Sequence, residues 1–429
     1  MAAITFTPLS LLLLTLSISL SMPSHSTTHP QDVQALKQLK RTIAPSTIPP
    51  SSCISSWDFS LDPCDSLFSD KFTCGLRCDA SSNSNSNSNS TSTSTLRVTD
   101  LSLDPAGYSA PLSSIPFSSL PFLQTLDLSS NNFSGSIPPS LSLLPLLRRI
   151  SLSRNSLSGP IPASLSSLSL LQQLYLDNNL LTNSIPPLNL PNLNRIEFQS
   201  NQLTGSLPDL TLLPNLNFLD ASDNSLSGAL PSSLPPSLIE LVARNNQFEG
   251  EIPSIEAPSL QVLDLSHNKL TGSVPASLFT HPNLEQLTLS FNHLESVETP
   301  ADSGLTSPLI SVDLSNNRVR GFLPGFMGFM PRLSALSLEN NELTGPIPIE
   351  YAMKVLGSGS AQFERLLLGG NYLFGAIPGG FLDLKAGSLT VRLGDNCLYR
   401  CPLRYFFCEG GVQKSFEQCR ALGPFVPSN

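Results

Sequence analysis

Along most of the chain, apolar residues recur in the pattern L-x-x-L-x-L-x-x-N-x-L-x-G-x-I-P, with mostly polar residues between. One copy is Leu147, Ile150, Leu152, Asn155, Leu157, Gly159, Ile161 and Pro162. Another is Leu333, Leu336, Leu338, Asn341, Leu343, Gly345, Ile347 and Pro348. The asparagine returns at Asn131, Asn155, Asn179, Asn201, Asn224, Asn246, Asn268, Asn292, Asn317, Asn341, Asn371 and Asn396, at intervals of 22 to 25 residues with a single interval of 30. The L-x-L alternation predicts a short strand with one buried face. Twelve such strands, stacked in parallel about 4.8 Å apart, give a ribbon on the order of 55 Å along its inner edge. The asparagine stands where the chain leaves the strand, and its amide is suited to bond backbone groups of its own and adjacent turns. The glycine and proline that follow shape an outer arc and exclude a long regular helix. Leucines from every turn share one core, so no coil folds alone.

Composition supports this picture and narrows the partners. Proline accounts for 38 of 429 residues, roughly 9% against a usual 5%. Charged residues are only 13% and the net charge is -9. No Lys- or Arg-rich run exists, which excludes a phosphate backbone as the expected partner. Residues Leu11 to Leu20 form a short apolar run of the signal-peptide kind, with small Ser24 and Ser26 spaced for cleavage after about Ser26. That run is too short to cross a bilayer, which needs about 20 helical residues. The expectation is a secreted protein, in the apoplast or cell wall or peripheral at the plasma membrane.

Eight cysteines fall in two groups, Cys53, Cys64, Cys74 and Cys78 near the start and Cys397, Cys401, Cys408 and Cys419 near the end, with none in the 318 residues between. An oxidising compartment favours disulfides over zinc here, and neither group holds paired C-x2-C knuckles. Each group of four allows three pairings.

The G-x-I-P form of the repeat, over roughly Leu96 to Asn396, resembles the plant-specific class of extracellular leucine-rich repeats. The resemblance implies a curved right-handed solenoid of the α/β type, with a parallel sheet on the concave face, an irregular or 3-10 convex arc and disulfide-bonded caps. The head is similar to the amino-terminal cap of that class: Asp32, Val33, Ala35, Leu36 and Leu39 on a short amphipathic helix, then Trp57, Asp62-Pro63-Cys64, and Arg97 to Leu103 as the entry strand. This likeness implies a Cys64–Cys78 bridge and, with it, Cys53–Cys74. The organisation expected is a signal peptide (1–26), an amino-terminal cap with a Ser/Asn-rich loop (27–95), about twelve repeats (96–396) and a carboxy-terminal cysteine cap (397–429).

The candidate site is the concave face. The position between the second and third leucines reads Asp127, Ser151, Tyr175, Glu197, Asp220, Val242, Asp264, Thr288, Asp313, Ser337 and Leu367, all expected to point outward. Three residues further on stand Ser130, Arg154, Asn178, Ser200, Asp223, Asn245, His267 and Phe291, while Arg149, Arg195 and Arg244 add positive charge. Exposed aromatics beside arginine are common energetic centres of interfaces, so Tyr175, Glu197, Phe218, Asp220, Arg244, His267 and Phe291 are the expected ligand contacts. N-glycosylation acceptors stand at Asn89 and Asn132. Leu294 to Pro308 and Ile349 to Gln362 interrupt the repeat, and such interruptions can form binding loops. No G-x-S-x-G, H-E-x-x-H or paired His/Cys spacing occurs, so no enzyme activity, metal or cofactor is expected.

The resemblance to ectodomains of receptor-like proteins and receptor kinases implies recognition of a peptide, protein or cell-wall ligand, with a membrane co-receptor kinase as a further partner. Two alternatives remain. One is an inhibitor of a secreted microbial wall-degrading enzyme, similar to polygalacturonase-inhibiting proteins, which also carry about ten repeats and four cysteines at each end. The longer head, the serine-rich loop and the tail spacing depart from that group. The other is a structural protein that holds wall polysaccharide.

Overall fold

The computed structural model describes residues 27–80, 95–357, 361–399, 401–402, 404–408 and 411–422. The expected signal peptide, the Ser/Asn-rich loop with Asn89, and Ser358 to Ser360 lie outside the described residues. Each repeat contributes one three-residue strand to a single long sheet, from Thr125–Asp127 through Arg195–Glu197 and Val262–Asp264 to Thr390–Arg392. Neighbouring strands pair in parallel and in strict register, so that Glu197 sits beside Asp220, Asp220 beside Val242, and Val242 beside Asp264. The middle residue of each of these strands is buried and most of the residues on either side are at least partly exposed, as an L-x-L alternation dictates. A second parallel sheet of eight strands, Ser134–Gly135 through His293–Val297, follows the asparagine in each turn. Short 3-10 turns such as Ala163–Ser167, held to one or two turns by the preceding proline, form the outer arc. One apolar core runs from Leu36 in the head to Phe407 in the tail.

The asparagines join the coils. Asn246 Nδ2 donates to the carbonyls of Ala243 (3.2 Å) and Arg244 (3.1 Å) in its own turn and of Ala221 (2.9 Å) in the preceding one, while Oδ1 accepts the Leu226 N–H at 2.9 Å. The same pattern repeats from Asn155 to Asn396. The residue before each asparagine takes a left-handed conformation, φ near +55° at Arg154, His267, Phe291 and Asn340 alike. This reversal carries the chain off the strand and aims the amide inward.

Both ends are closed. Helix Pro30–Thr42 buries Ala35, Leu36 and Leu39, together with Asp32. The Asp32 carboxylate accepts from Arg97 Nη2 at 2.7 Å, Arg97 Nε at 3.0 Å and the Val98 amide at 2.8 Å. Arg97 lies on the long strand Thr95–Ser102, which pairs antiparallel with Leu76–Ala80 and parallel with the first repeat. Disulfides join Cys53 to Cys74 and Cys64 to Cys78 in the head, and Cys397 to Cys419 and Cys401 to Cys408 in the tail. In the tail, Gln413 stands in for a thirteenth asparagine. Its Oε1 accepts the Leu398 amide at 2.9 Å and its Nε2 donates to the Leu393 carbonyl at 3.2 Å.

The segment after Pro348 forms a helix, Ile349–Val355, whose Tyr351, Ala352 and Val355 enter the core beside Phe363. Lys354 is also buried, donating to the Met330 carbonyl at 2.7 Å. Ile349, Met353 and Leu356 remain exposed.

Candidate functional site: the concave face

The outward-facing side chains of the long sheet are ordered by contacts with their neighbours along it. On the strand Arg149–Ser151, the Arg149 guanidinium stands 4.5 Å from the Tyr175 ring centroid. Its Nη1 donates to Gln173 Oε1 at 2.7 Å and to the Tyr175 hydroxyl at 3.4 Å, and Nη2 lies 3.9 Å from Asp127. Two strands on, Arg195 repeats the arrangement. It lies 3.6 Å from the Phe218 ring centroid while its Nε donates to Glu197 Oε1 at 2.7 Å. Each guanidinium is thus held between an acid and an aromatic face, a placement that favours arginine over lysine.

Acidic groups follow in the next two strands. Asp220 accepts from the Ser222 amide at 2.9 Å and the Ser222 hydroxyl at 2.6 Å. Burial raises its pKa, and the Ser222 bonds and the Arg244 charge oppose that rise without cancelling it. Burial likewise raises Glu240, against the pull of Arg195. Arg244 is exposed at the edge of the face.

At the rim, the left-handed residues form a ladder of their own. Asn245 Nδ2 donates to Asp223 Oδ1 at 2.7 Å, and Asn340 Nδ2 to Asn316 Oδ1 at 3.0 Å. Between these amide rungs, His267 and Phe291 stack, with ring centroids 4.1 Å apart and planes 11° from parallel.

The seven expected contacts therefore fall into two groups. Tyr175, Glu197, Phe218, Asp220 and Arg244 lie in one block of successive turns, and His267 with Phe291 forms a second group on the rim. Three residues correct the expected outward row: Leu367 is buried at 2% exposure, and Ser151 and Ser337 are buried as well. Leu367 sits between Ser337 and Arg392 in register, and Arg392 reaches across this strand to within 4.0 Å of Glu339. The arginine pairing geometry and the role of Gln173 were not apparent in the sequence, although arginine at one strand and an aromatic at the next was a usable signal.

The remaining candidates are placed as follows. Asn132 is exposed, and its Oδ1 accepts from the Ser156 hydroxyl at 3.1 Å. His281 is buried and bonds the Ala257 carbonyl at 3.0 Å; burial lowers its pKa. His293 lies on the second sheet, away from the concave strands. Cys53, Cys74 and Asp104 approach one another closely enough to hold a metal, but the two sulfurs share a disulfide and offer no thiolate.

Three stretches match family models described as leucine-rich repeats: residues 121–181, 215–236 and 258–307, the last as two copies. Together with the parallel sheet and the asparagine ladder, these matches decide the fold. The chain is a leucine-rich-repeat solenoid. Among solved structures, it is similar to "Plant peptide hormone receptor RGFR1 in complex with RGF2", at 29% identity and a TM-score of 0.60, covering 69% of this chain and 48% of that one. It is also similar to "a TDR receptor", at 29% identity and a TM-score of 0.50, covering 69% of this chain and 58% of that one. This leucine-rich-repeat chain thus spans about half the length of those structures. No curated protein matches it in sequence.

Proposed function

We propose that this protein is a secreted, non-catalytic recognition module that binds a peptide or protein ligand on its concave face. The observation that carries the reading is the pair of arginine–aromatic stacks, Arg149 on Tyr175 and Arg195 on Phe218, fixed within the sheet before any ligand arrives. Side chains ordered in advance lose little entropy on binding. Aromatic and arginine side chains are also those that most often dominate interface energetics. The similar receptor RGFR1 is described in complex with RGF2, which supports a peptide as the ligand class. A membrane co-receptor kinase is a further partner in this reading. Residues 1–26 act as the signal peptide, and Asn89 and Asn132 carry glycans in the exported protein.

Ligand capture from extracellular fluid tests the central claim. The mature protein retains a ligand, and the double variant Tyr175→Ala/Phe218→Ala loses at least about 90% of it, equivalent to more than about 1.4 kcal/mol. Equal capture by the variant overturns the concave-face assignment. Amino-terminal sequencing of the exported protein checks the cleavage, expected near Ser26.

A further inference from the structure

We propose that His267 and Phe291, with Asp264 and Asp313 beside them, form a subsite for one basic side chain, lysine or arginine, of a polypeptide ligand. This rests on the concave-face reading above and specifies a second anchor for it, separate from the Tyr175 and Phe218 block.

Four observations lead to this subsite. The first is the rim itself. His267 (φ 54°) and Phe291 (φ 56°) occupy left-handed positions that other repeats fill with serine, asparagine, aspartate, arginine or glycine. A bulky ring is an unusual occupant of that conformation, and Phe291 has no polar atom to bond its own turn. The second is exposure. Phe291 is 47% exposed although it is stacked on an exposed histidine, so the rings offer an aromatic surface to solvent and not to the core.

The third is charge. Asp264, Thr288 and Asp313 stand side by side in register on the three strands that lead into this part of the rim. Each aspartate uses Oδ1 to accept from its own turn, at Ser266 and Ser315. Among the described residues neither forms an ion pair, whereas Asp127 and Glu197 each lie beside an arginine. A cation seated over Thr288 lies about 5 Å from each carboxylate, given the spacing of the strands. The fourth is space. A hollow of about 210 Å³ opens beside Thr288 and Asp313, made by the small side chains Ser311, Ala335 and Ser337, with Arg365 on its far wall.

A long basic side chain satisfies the first three, and the hollow, which neither ring nor Asp264 lines, leaves room beside Asp313. The stem of that side chain, or a guanidinium plane, lies on the exposed ring of Phe291, and its charge reaches the two unpaired carboxylates. An acidic side chain meets two like charges there, and a purely apolar one covers both carboxylates without supplying a counter-charge.

The test is selection of short random peptides displayed on phage against the folded, disulfide-bonded protein. The expected result is enrichment of peptides with lysine or arginine at one fixed position. Their binding weakens by about tenfold or more in Phe291→Asn, and similarly in Asp264→Asn/Asp313→Asn. Phe291→Asn places at this position the residue type found at Asn316 and Asn340, so its melting temperature stays at or above that of the parent. Selected peptides without a fixed basic residue, no enrichment at all, or unchanged binding to both variants overturns the subsite. Binding lost only in Tyr175→Ala/Phe218→Ala overturns the subsite but keeps the concave-face reading. Binding retained in every variant overturns both.

Discussion

At the scale of single residues, the asparagine is the most demanding position. Asn268 donates to three carbonyls and accepts one amide, all within the interior. Asn268→Ala leaves those backbone groups without partners and costs about 1–3 kcal/mol for each group that water cannot reach. The midpoint of urea denaturation falls accordingly; an unchanged midpoint removes the asparagine from its structural role. Lys354 gives a prediction in pH. Burial lowers its pKa from 10.5 to about 8, so between those values the unfolded chain holds a proton that the folded chain has lost. Stability contributed by this residue therefore rises as pH climbs from about 8 to 10.5, and is lowest below 8. Lys354→Met removes that rise, seen as a smaller difference in denaturation midpoint between pH 7.5 and 10.5. An identical pH dependence in the variant contradicts the buried-ammonium assignment.

At the scale of elements, the repeat unit was legible in the sequence because its signal is spacing. Leu147, Ile150 and Leu152 fix one strand, and Asn155 fixes the turn after it, before any long-range contact is considered. The helix Pro30–Thr42 was equally legible from its apolar face. Its best-buried polar contact was not, because Asp32 meets Arg97 across 65 residues and no local rule pairs them. Asp32→Ala leaves that arginine buried without its partner, and such losses cost about 3–5 kcal/mol; the head then melts before the repeats. The insertion Ile349 to Gln362 was marked as an interruption, yet the structure sends Tyr351, Ala352, Lys354 and Val355 of it into the core. Its pattern misled because Lys354 points inward while Ile349 and Met353 face solvent, the reverse of ordinary amphipathic order. Leu367 failed for a related reason. Periodicity gives the face of a strand, but only the structure reveals that Leu367 is buried there, on the strand that Arg392 spans to approach Glu339.

At the scale of the whole molecule, stability is a sum of neighbouring contacts. The long sheet and its shared core end in caps, each with two disulfides. Removal of a bridge from a small domain typically costs about 2–5 kcal/mol. Reduction is therefore expected to lower the melting temperature and to expose the ends first in hydrogen exchange, with the central turns last. Uniform exchange along the chain contradicts this. Among the described residues no helix is long and apolar enough to cross a membrane. Ligand selectivity belongs to this scale as well, since the strand of Tyr175 lies four strands from the one that leads into His267, and a single ligand touches both rings only if it is extended.

Between coils, the asparagine amides reach only backward, toward the coil that precedes them, and Gln413 makes the last such reach. The stack consequently has a polarity that its leucines alone do not impose: every coil is completed by its successor. A chain cut after Tyr399 lacks Gln413 and leaves the amide of Leu398 and the carbonyl of Leu393 open to water, and fraying starts there. Zippering from the head onward leaves an unfinished rung at each advancing tip until the glutamine arrives. Gln413→Ala recreates that unfinished tip in an otherwise intact protein.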